Sequence, residues 1–205
     1  DNDDISPNST LDRNSIGINT SQNVGKNIRI DANLKYLLED QSGNPRLSDG
    51  PGNANWIVNH TSPSVDVNWV KGHNGDGIND DLSEYQMTPS IYIQNPWFAQ
   101  NYYVNDSEKE RFIGSINMRW DLTDWLYARA RVGADRYDLH RTQSEPFGTG
   151  YKPQGGINHY KLAFKQFDSD FFLGTDNLSL TDDVALTAFV GVGSNVQEAE
   201  SLSVN

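Results

Sequence analysis

What most constrains this chain is alternation. From Ile28 to Leu38 one parity reads Ile28, Ile30, Ala32, Leu34, Tyr36, Leu38, while the other reads Arg29, Asp31, Asn33, Lys35, Leu37. Successive side chains of a β-strand point to opposite faces, so a period of two writes one apolar face and one largely charged face. The pattern recurs from Arg111 to Leu122, where Phe112, Gly114, Ile116, Met118 and Trp120 alternate with Arg111, Ile113, Ser115, Asn117, Arg119 and Asp121. It returns from Leu126 to Ala134 and from Val184 to Val192. It is weaker from Asn158 to Gln166, and weakest from Ser15 to Asn19, where it rests on Ile16 and Ile18. An all-β, antiparallel fold is expected.

The connections alternate in length. Tight hairpin turns are expected at Asn23–Asn27, at Thr123-Asp124, and at Thr181-Asp182-Asp183. Two of them lie in near-repeats, Asp121-Leu122-Thr123-Asp124-Trp125-Leu126 and Ser179-Leu180-Thr181-Asp182-Asp183-Val184, as equivalent turns on one rim would. This gives hairpins over about 13–38, 110–138 and 158–197, separated by long Gly-, Asn-, Asp- and Pro-rich loops over about 39–109 and 139–157. Loops of such length are rare in compact domains and are usually functional.

Composition narrows the function. The 205 residues include 22 Asn and 21 Asp, short polar types that favour turns. The net charge is −12 and the cations are scattered, which argues against binding nucleic-acid phosphates. Without cysteine there is no disulfide, thiolate metal site or cysteine nucleophile. The longest apolar runs are a few residues, against the ~20 that a transmembrane helix needs. The opening Asp1-Asn2-Asp3-Asp4 does not resemble a signal peptide, so the chain is expected to be non-exported, processed or partial.

Two architectures share this pattern. A transmembrane β-barrel has short turns on one rim, long loops on the other, and strands that are apolar towards lipid and polar towards the lumen. Because hydrocarbon offers no hydrogen bonds, every backbone group must be paired, and ~9–11 tilted residues suffice to cross. Trp120, Trp125 and Tyr127 cluster about one short turn, where an aromatic girdle would lie. A soluble β-sandwich or meander also alternates core-facing and water-facing residues. The two separate on whether Ile30, Leu34, Ile116, Val132 and Leu186 face lipid or a packed core.

Asn95-Pro96-Trp97, Glu110-Arg111-Phe112-Ile113-Gly114-Ser115-Ile116, Leu122-Thr123-Asp124-Trp125-Leu126, Arg131-Val132-Gly133-Ala134-Asp135-Arg136-Tyr137 and Pro146-Phe147-Gly148-Thr149-Gly150 follow one another in order. Upstream stand Leu11-Asp12-Arg13, Gly25-Lys26-Asn27, Asp31-Ala32-Asn33-Leu34-Lys35-Tyr36 and Asn44-Pro45-Arg46-Leu47-Ser48-Asp49; downstream stand Asp168-Ser169-Asp170-Phe171-Phe172-Leu173 and Gly191-Val192-Gly193-Ser194-Asn195. In this order the segments resemble the SusC/RagA-type TonB-dependent outer-membrane transporters of the Bacteroidetes. The resemblance implies that residues 1–205 form about six strands of one larger barrel of ~22 strands around a plugged lumen, with the plug domain outside this chain. It also implies energy-coupled import of oligosaccharides or peptides across the bacterial outer membrane, a SusD-like surface lipoprotein as lid, TonB as partner through an absent N-terminal region, and lipid around the wall. The rival reading is a secreted or periplasmic all-β carbohydrate-binding module that uses loop aromatics.

Candidate sites follow from residue chemistry. The loop aromatics Trp56, Trp69, Trp97, Phe98, Tyr102 and Tyr103 can stack on sugars or anchor an interface, and Trp97, Phe98, Tyr102 and Tyr103 are taken as the substrate- or partner-binding set. The alternative is that the rings pack the long loop against itself. Arg119, Asp121, Arg129, Arg131 and Asp135 are expected to face the lumen, lining a path or forming an ion-pair network. The acidic run Asp76-Gly77-Ile78-Asn79-Asp80-Asp81 has no EF-hand spacing, so calcium there is an outside alternative to a solvated loop and no cofactor is expected. His60, His73, His140 and His159 have no zinc spacing, and no nucleophile elbow, phosphate loop or dinucleotide fingerprint appears. Neither a catalytic residue nor a metal ligand is assigned, and no enzyme activity is expected.

Overall fold

The computed structural model describes residues 2–3, 8–176, 178–181 and 184–205. Its elements in chain order are β1 (Asn2–Asp3), β2 (Thr10–Val24), β3 (Ile28–Ser42), α1 (Ala54–His60), a 3-10 turn (Val67–Val70), α2 (Pro96–Tyr102), β4 (Val104–Asp121), β5 (Leu126–Glu145), β6 (Gly156–Thr175), β7 (Leu178–Thr181), β8 (Val184–Leu186) and β9 (Phe189–Val204). The chain is mostly antiparallel β-sheet. Neighbours pair in the order β1-β2-β3-β4-β5-β6-β9, so six long strands meander through one sheet. The sheet is open, ending on β1 and β9, and is not closed into a barrel.

Short connections share one rim. Gly25-Lys26-Asn27 links the paired residues Val24 and Ile28, and Gly25 sits at φ 67, a left-handed conformation that glycine adopts without steric cost. At the next turn Thr123 Oγ1 accepts hydrogen bonds from Leu126 N (3.0 Å) and Trp125 N (3.3 Å). Asp121 N donates to Asn27 O at 2.8 Å, which fastens the two turns side by side.

Two strand expectations are corrected. Val184 to Val192 is not one strand, because the chain breaks at Thr187-Ala188, where Thr175 N donates to Ala188 O (2.8 Å) and Ala188 N to Thr175 Oγ1 (3.1 Å). Before the break, β7 and β8 pair only with each other in a separate two-stranded sheet. The expected turn at Thr181-Asp182-Asp183 includes Asp182 and Asp183, which lie outside the described residues. The strands also run beyond their alternating stretches: β4 starts at Val104 and β5 reaches Glu145. In their outer parts both parities are polar, as in Asn105-Asp106-Ser107 paired with Arg141-Thr142-Gln143, so backbone pairing continues where the hydrophobic signal has stopped.

The other rim carries a folded lobe built from residues 43–103 and 146–155. Asn44 N donates to Asn105 O at 3.1 Å and Gly43 N to Asp106 Oδ1 at 2.9 Å, tying its base to β4. The principal core lies here: Ile57, Ile78, Phe98, Ala99 and Tyr103 cluster together, with Trp56, Met87, Ile93, Tyr102 and Tyr151 packed around them. On the long strands, Ala128 is the one apolar residue among those described that is buried.

Candidate functional site

Register assigns every strand side chain to a face. Leu34 opposes Gly114, Ile116 opposes Ala32 and Val132, and Ala130 opposes Met118 and Phe171, which opposes Val192. These residues share one side, and its apolar band extends from the short-turn rim to about Tyr36, Phe112 and Phe167. Beyond it the same side turns charged: Arg136 opposes Lys165, Lys165 opposes Glu198, and Glu110 opposes Asp138. The apolar side chains are open: Ile116 is 49% exposed, Leu34 45%, Val132 42% and Val192 69%. Ile30 is half-buried, and Leu186 is exposed on β8, outside the main sheet. Among the described residues no second layer covers this side.

The opposite side is polar and cross-linked. Arg119 and Asp121 on β4 and Arg129, Arg131 and Asp135 on β5 all project to it, as the register requires. Arg111 meets Asp135 through two bonds, Nε to Oδ1 at 2.9 Å and Nη2 to Oδ2 at 2.5 Å. Arg119 donates to Asp121 Oδ1 (2.8 Å) and Asp176 Oδ2 (2.5 Å), and its guanidinium lies 4.1 Å from the Tyr127 ring centre. Arg131 pairs with Asp170, Asn33 bonds Ser115 at 2.7 Å, and Asp168 accepts from Gln166 and Asn195. Forked guanidinium–carboxylate pairs of this kind fix side-chain direction as well as charge.

In the lobe, the aromatic set does not form a common binding surface. Phe98 is fully buried and Tyr103 nearly so, and the expectation that they meet a ligand gives way to a packing role. The reason is α2, whose seven residues turn Phe98 and Ala99 inward. Trp97 is half-buried, donating Nε1–H to Val67 O at 2.8 Å beneath the Lys71 ammonium, 4.4 Å from the ring centre. Tyr102 donates its hydroxyl to Asp76 Oδ2 at 2.6 Å, which raises the phenol's pKa. Trp56 stacks on His60 at 4.1 Å. The most open rings of the lobe are Trp69, Tyr92 and Phe147, exposed by 72%, 66% and 67%.

A buried polar network joins the two loop segments. Asn95 caps α2, its Oδ1 accepting from Trp97 N (2.9 Å) and Phe98 N (3.3 Å) while its Nδ2 donates to Val70 O. Glu84 lies beside it, 2% exposed. Its Oε1 accepts from Asn95 N at 2.6 Å, and its Oε2 from Gly150 N at 2.9 Å and Thr149 Oγ1 at 3.2 Å. Gln94 continues the chain, donating to Thr149 Oγ1 (2.7 Å) and Tyr103 Oη and accepting from Gly52 N (2.6 Å). Burial pushes the Glu84 carboxyl above its ordinary range, against the lowering pull of these bonds. Sequence reasoning missed this network, although Asn95 before Pro96 is a helix-start signature.

The acidic run spends its oxygens locally. Asp76 Oδ1 accepts from Ile78 N at 3.3 Å, and Asp81 Oδ1 from Ser83 N at 3.0 Å and Ser83 Oγ at 2.5 Å, which lowers the Asp81 pKa. Among the described residues no three metal-ligating side chains converge. The chain matches no family model, and a comparison with curated proteins returns no significant match.

Proposed function

We propose that this chain is part of the β-barrel wall of a SusC/RagA-type, TonB-dependent importer in a bacterial outer membrane. One observation carries the reading: six long strands present a continuous, uncovered apolar band on one side and an ion-paired polar surface on the other. In water such a band is a liability, since exposed apolar patches of this extent mark an interface. In a bilayer it is the lipid face. From Ile28 to Tyr36 it runs ~27 Å along the strand at ~3.4 Å per residue, or ~21 Å along the membrane normal at a tilt of ~40°, close to the ~25 Å height of a barrel's apolar band. Trp120 and Trp125, 45% and 42% exposed at the short-turn end, stand where the aromatic girdle belongs.

On this reading the open edges of the sheet, along β2 beyond its two-residue pairing with β1 and along β9, continue into further strands, because unpaired backbone groups cannot face hydrocarbon. The polar side lines the lumen and faces a plug. The lobe lies on the outer rim, where it meets a SusD-like lid and incoming oligosaccharide or peptide through the exposed Trp69, Tyr92 and Phe147 and the half-buried Trp97. The chemistry is transport without covalent steps: capture under the lid, then plug remodelling driven through TonB. The uncovered face disfavours the soluble carbohydrate-binding module, whose sheet would need a covering layer. Cells carrying the full-length protein should accumulate labelled oligosaccharide or peptide in a manner abolished by a protonophore while surface binding persists. Uptake that is indifferent to the protonophore contradicts the proposal.

A further inference from the structure

A cleft of about 650 Å³ opens in the lobe between the turns at 79–86 and 147–153. Bonds within the protein fix its walls. Asn79 N donates to Ser83 O at 2.8 Å, and Asn79 Nδ2 donates to Ser83 Oγ at 3.0 Å and Glu84 O at 3.1 Å. With Leu82 N bonded to Asn79 O at 3.0 Å, this clamp holds Leu82 at φ 67, a left-handed backbone that a non-glycine residue seldom adopts. Such strain persists where the surroundings over-determine it, and it gathers at ligand clamps. The two walls bond each other through Glu84 N and Gly148 O at 2.9 Å, and Gly148 N donates to Pro153 O at 2.8 Å. The Glu84 carboxylate beneath is engaged by Asn95, Thr149 and Gly150.

The groups left free along the cleft are of a different kind. Phe147 and Tyr85 are exposed by 67% and 38%, and the Tyr85 hydroxyl makes no hydrogen bond among the described residues. The exposed Gln86 amide lies over Gly150, where an added Cβ would strike it, and it too has no partner among the described residues. Asp81 turns Oδ1 to Ser83, which leaves Oδ2 able to accept. Among the described residues no Lys, Arg or His lines the cleft, and the adjacent Lys152 is held by Glu145 at 2.7 Å.

We propose that this cleft binds a neutral saccharide, one ring stacked on Phe147 and its hydroxyls bonded by Gln86 and Asp81. An open aromatic face takes the C–H side of a sugar ring. An amide both donates and accepts, and a carboxylate oxygen accepts from hydroxyl groups. A carboxylate or sulfate on the sugar would meet Asp81 with no cation to balance it, so acidic saccharides are rejected. An extended peptide is bound through a free backbone edge, whereas the backbone here is closed between the walls. The inference rests on the reading of the lobe as the surface that meets imported ligand, and it chooses between the two substrate classes left open there.

Calorimetry on the full-length protein, in a detergent without a sugar headgroup, tests it. The neutral probes are maltohexaose, xylohexaose and mannohexaose; hexagalacturonate is the acidic probe and trilysine the peptide. At least one neutral probe should bind saturably. Phe147→Ala, at an exposed turn position, should weaken that binding roughly tenfold through the lost ring contact, and Phe147→Trp should retain it. Gln86→Ala should weaken it about fivefold through one lost hydrogen bond. Leu47→Ala, an 87% exposed side chain elsewhere in the lobe, should change nothing. Neutral probes that all fail to bind, or bind Phe147→Ala as well as wild type, overturn the proposal. So does Phe147-dependent binding of hexagalacturonate or trilysine alone. Import is read separately: Phe147-dependent binding without protonophore-sensitive uptake removes the importer and leaves the site, and such uptake without that binding removes the site and leaves the importer.

Discussion

Replacing Phe98 by alanine should separate the lobe from the sheet. Phe98 is 0% exposed at the centre of a cluster with only four other buried apolar members, Ile57, Ile78, Ala99 and Tyr103. It also contacts the Tyr102 and Tyr103 rings, with centres 5.2 and 6.4 Å away. A fully buried Phe→Ala change costs about 3–5 kcal/mol, cavity included. So small a cluster has no other core to absorb the loss, and the cost falls on local opening of residues 43–103. At 1.4 kcal/mol per factor of ten, amide hydrogen exchange at Ile57, Ile78 and Ala99 should accelerate roughly a hundred- to few-thousand-fold. Amides paired between β4 and β5 should keep their protection, since their ladder does not touch Phe98. Unchanged exchange in the lobe, or equal loss in lobe and strands, refutes this account of the core. Unchanged exchange with lost ligand binding would instead return Phe98 to the binding set.

Other perturbations probe separate parts. Gly77→Ala should open the lobe in the same exchange assay, because at φ 84 an added Cβ meets Phe98 N at 2.5 Å and Asn95 Oδ1 at 2.6 Å; wild-type exchange would count against the α2 cap as the joint. Asn95→Ala removes the cap and a buried donor to Val70 O, and should cost the lobe about 1–3 kcal/mol, read by limited proteolysis. Glu84 has a folded pKa raised by burial above its ordinary 4.5, so its contribution is fully present below that value and lost as pH rises through the folded pKa. The lobe should therefore resist proteolysis relatively better near pH 4 than near pH 8, with Glu84→Gln abolishing that difference; an identical pH dependence in the variant contradicts it. Ile116→Arg, on the apolar side, should destabilise the membrane-inserted protein by about 2–4 kcal/mol in denaturant titration if it lies near the bilayer midplane.

How much of this was legible depended on whether neighbouring faces differed in polarity. Ile28–Leu38 and Phe112–Trp120 declared themselves because one side is apolar and the other charged. β2 showed only faintly, through Ile16 and Ile18 among Asn14, Ser15, Asn19, Thr20 and Ser21, and the outer thirds of β4 and β5 were masked by residues largely polar on both sides, although pairing runs through all of them. Backbone hydrogen bonds leave no hydrophobic trace. The break at Thr187-Ala188 was invisible for the opposite reason, since Val184, Leu186, Val190 and Val192 keep their parity across it. At the candidate sites, alternation correctly grouped Arg119, Asp121, Arg129, Arg131 and Asp135 on one side, but not their partners, which depend on inter-strand register. The lobe core was opaque because its members, from Ile57 to Tyr103, are brought together by turns and caps that follow no period.

The central claim is that the apolar side of the sheet meets lipid. Residues 1–205 contain no cysteine, so single cysteines at Ile116, Met118 and Val132 and at the polar-side positions Ser115, Asn117 and Gly133 can each carry a fluorophore in the full-length protein, with any cysteine elsewhere in it replaced by serine, reconstituted into bilayers. Lipids with nitroxide on the acyl chain should quench the first three strongly and the second three weakly, alternating residue by residue along β4. Equal quenching of both parities, or none at Ile116, Met118 and Val132, would contradict the account.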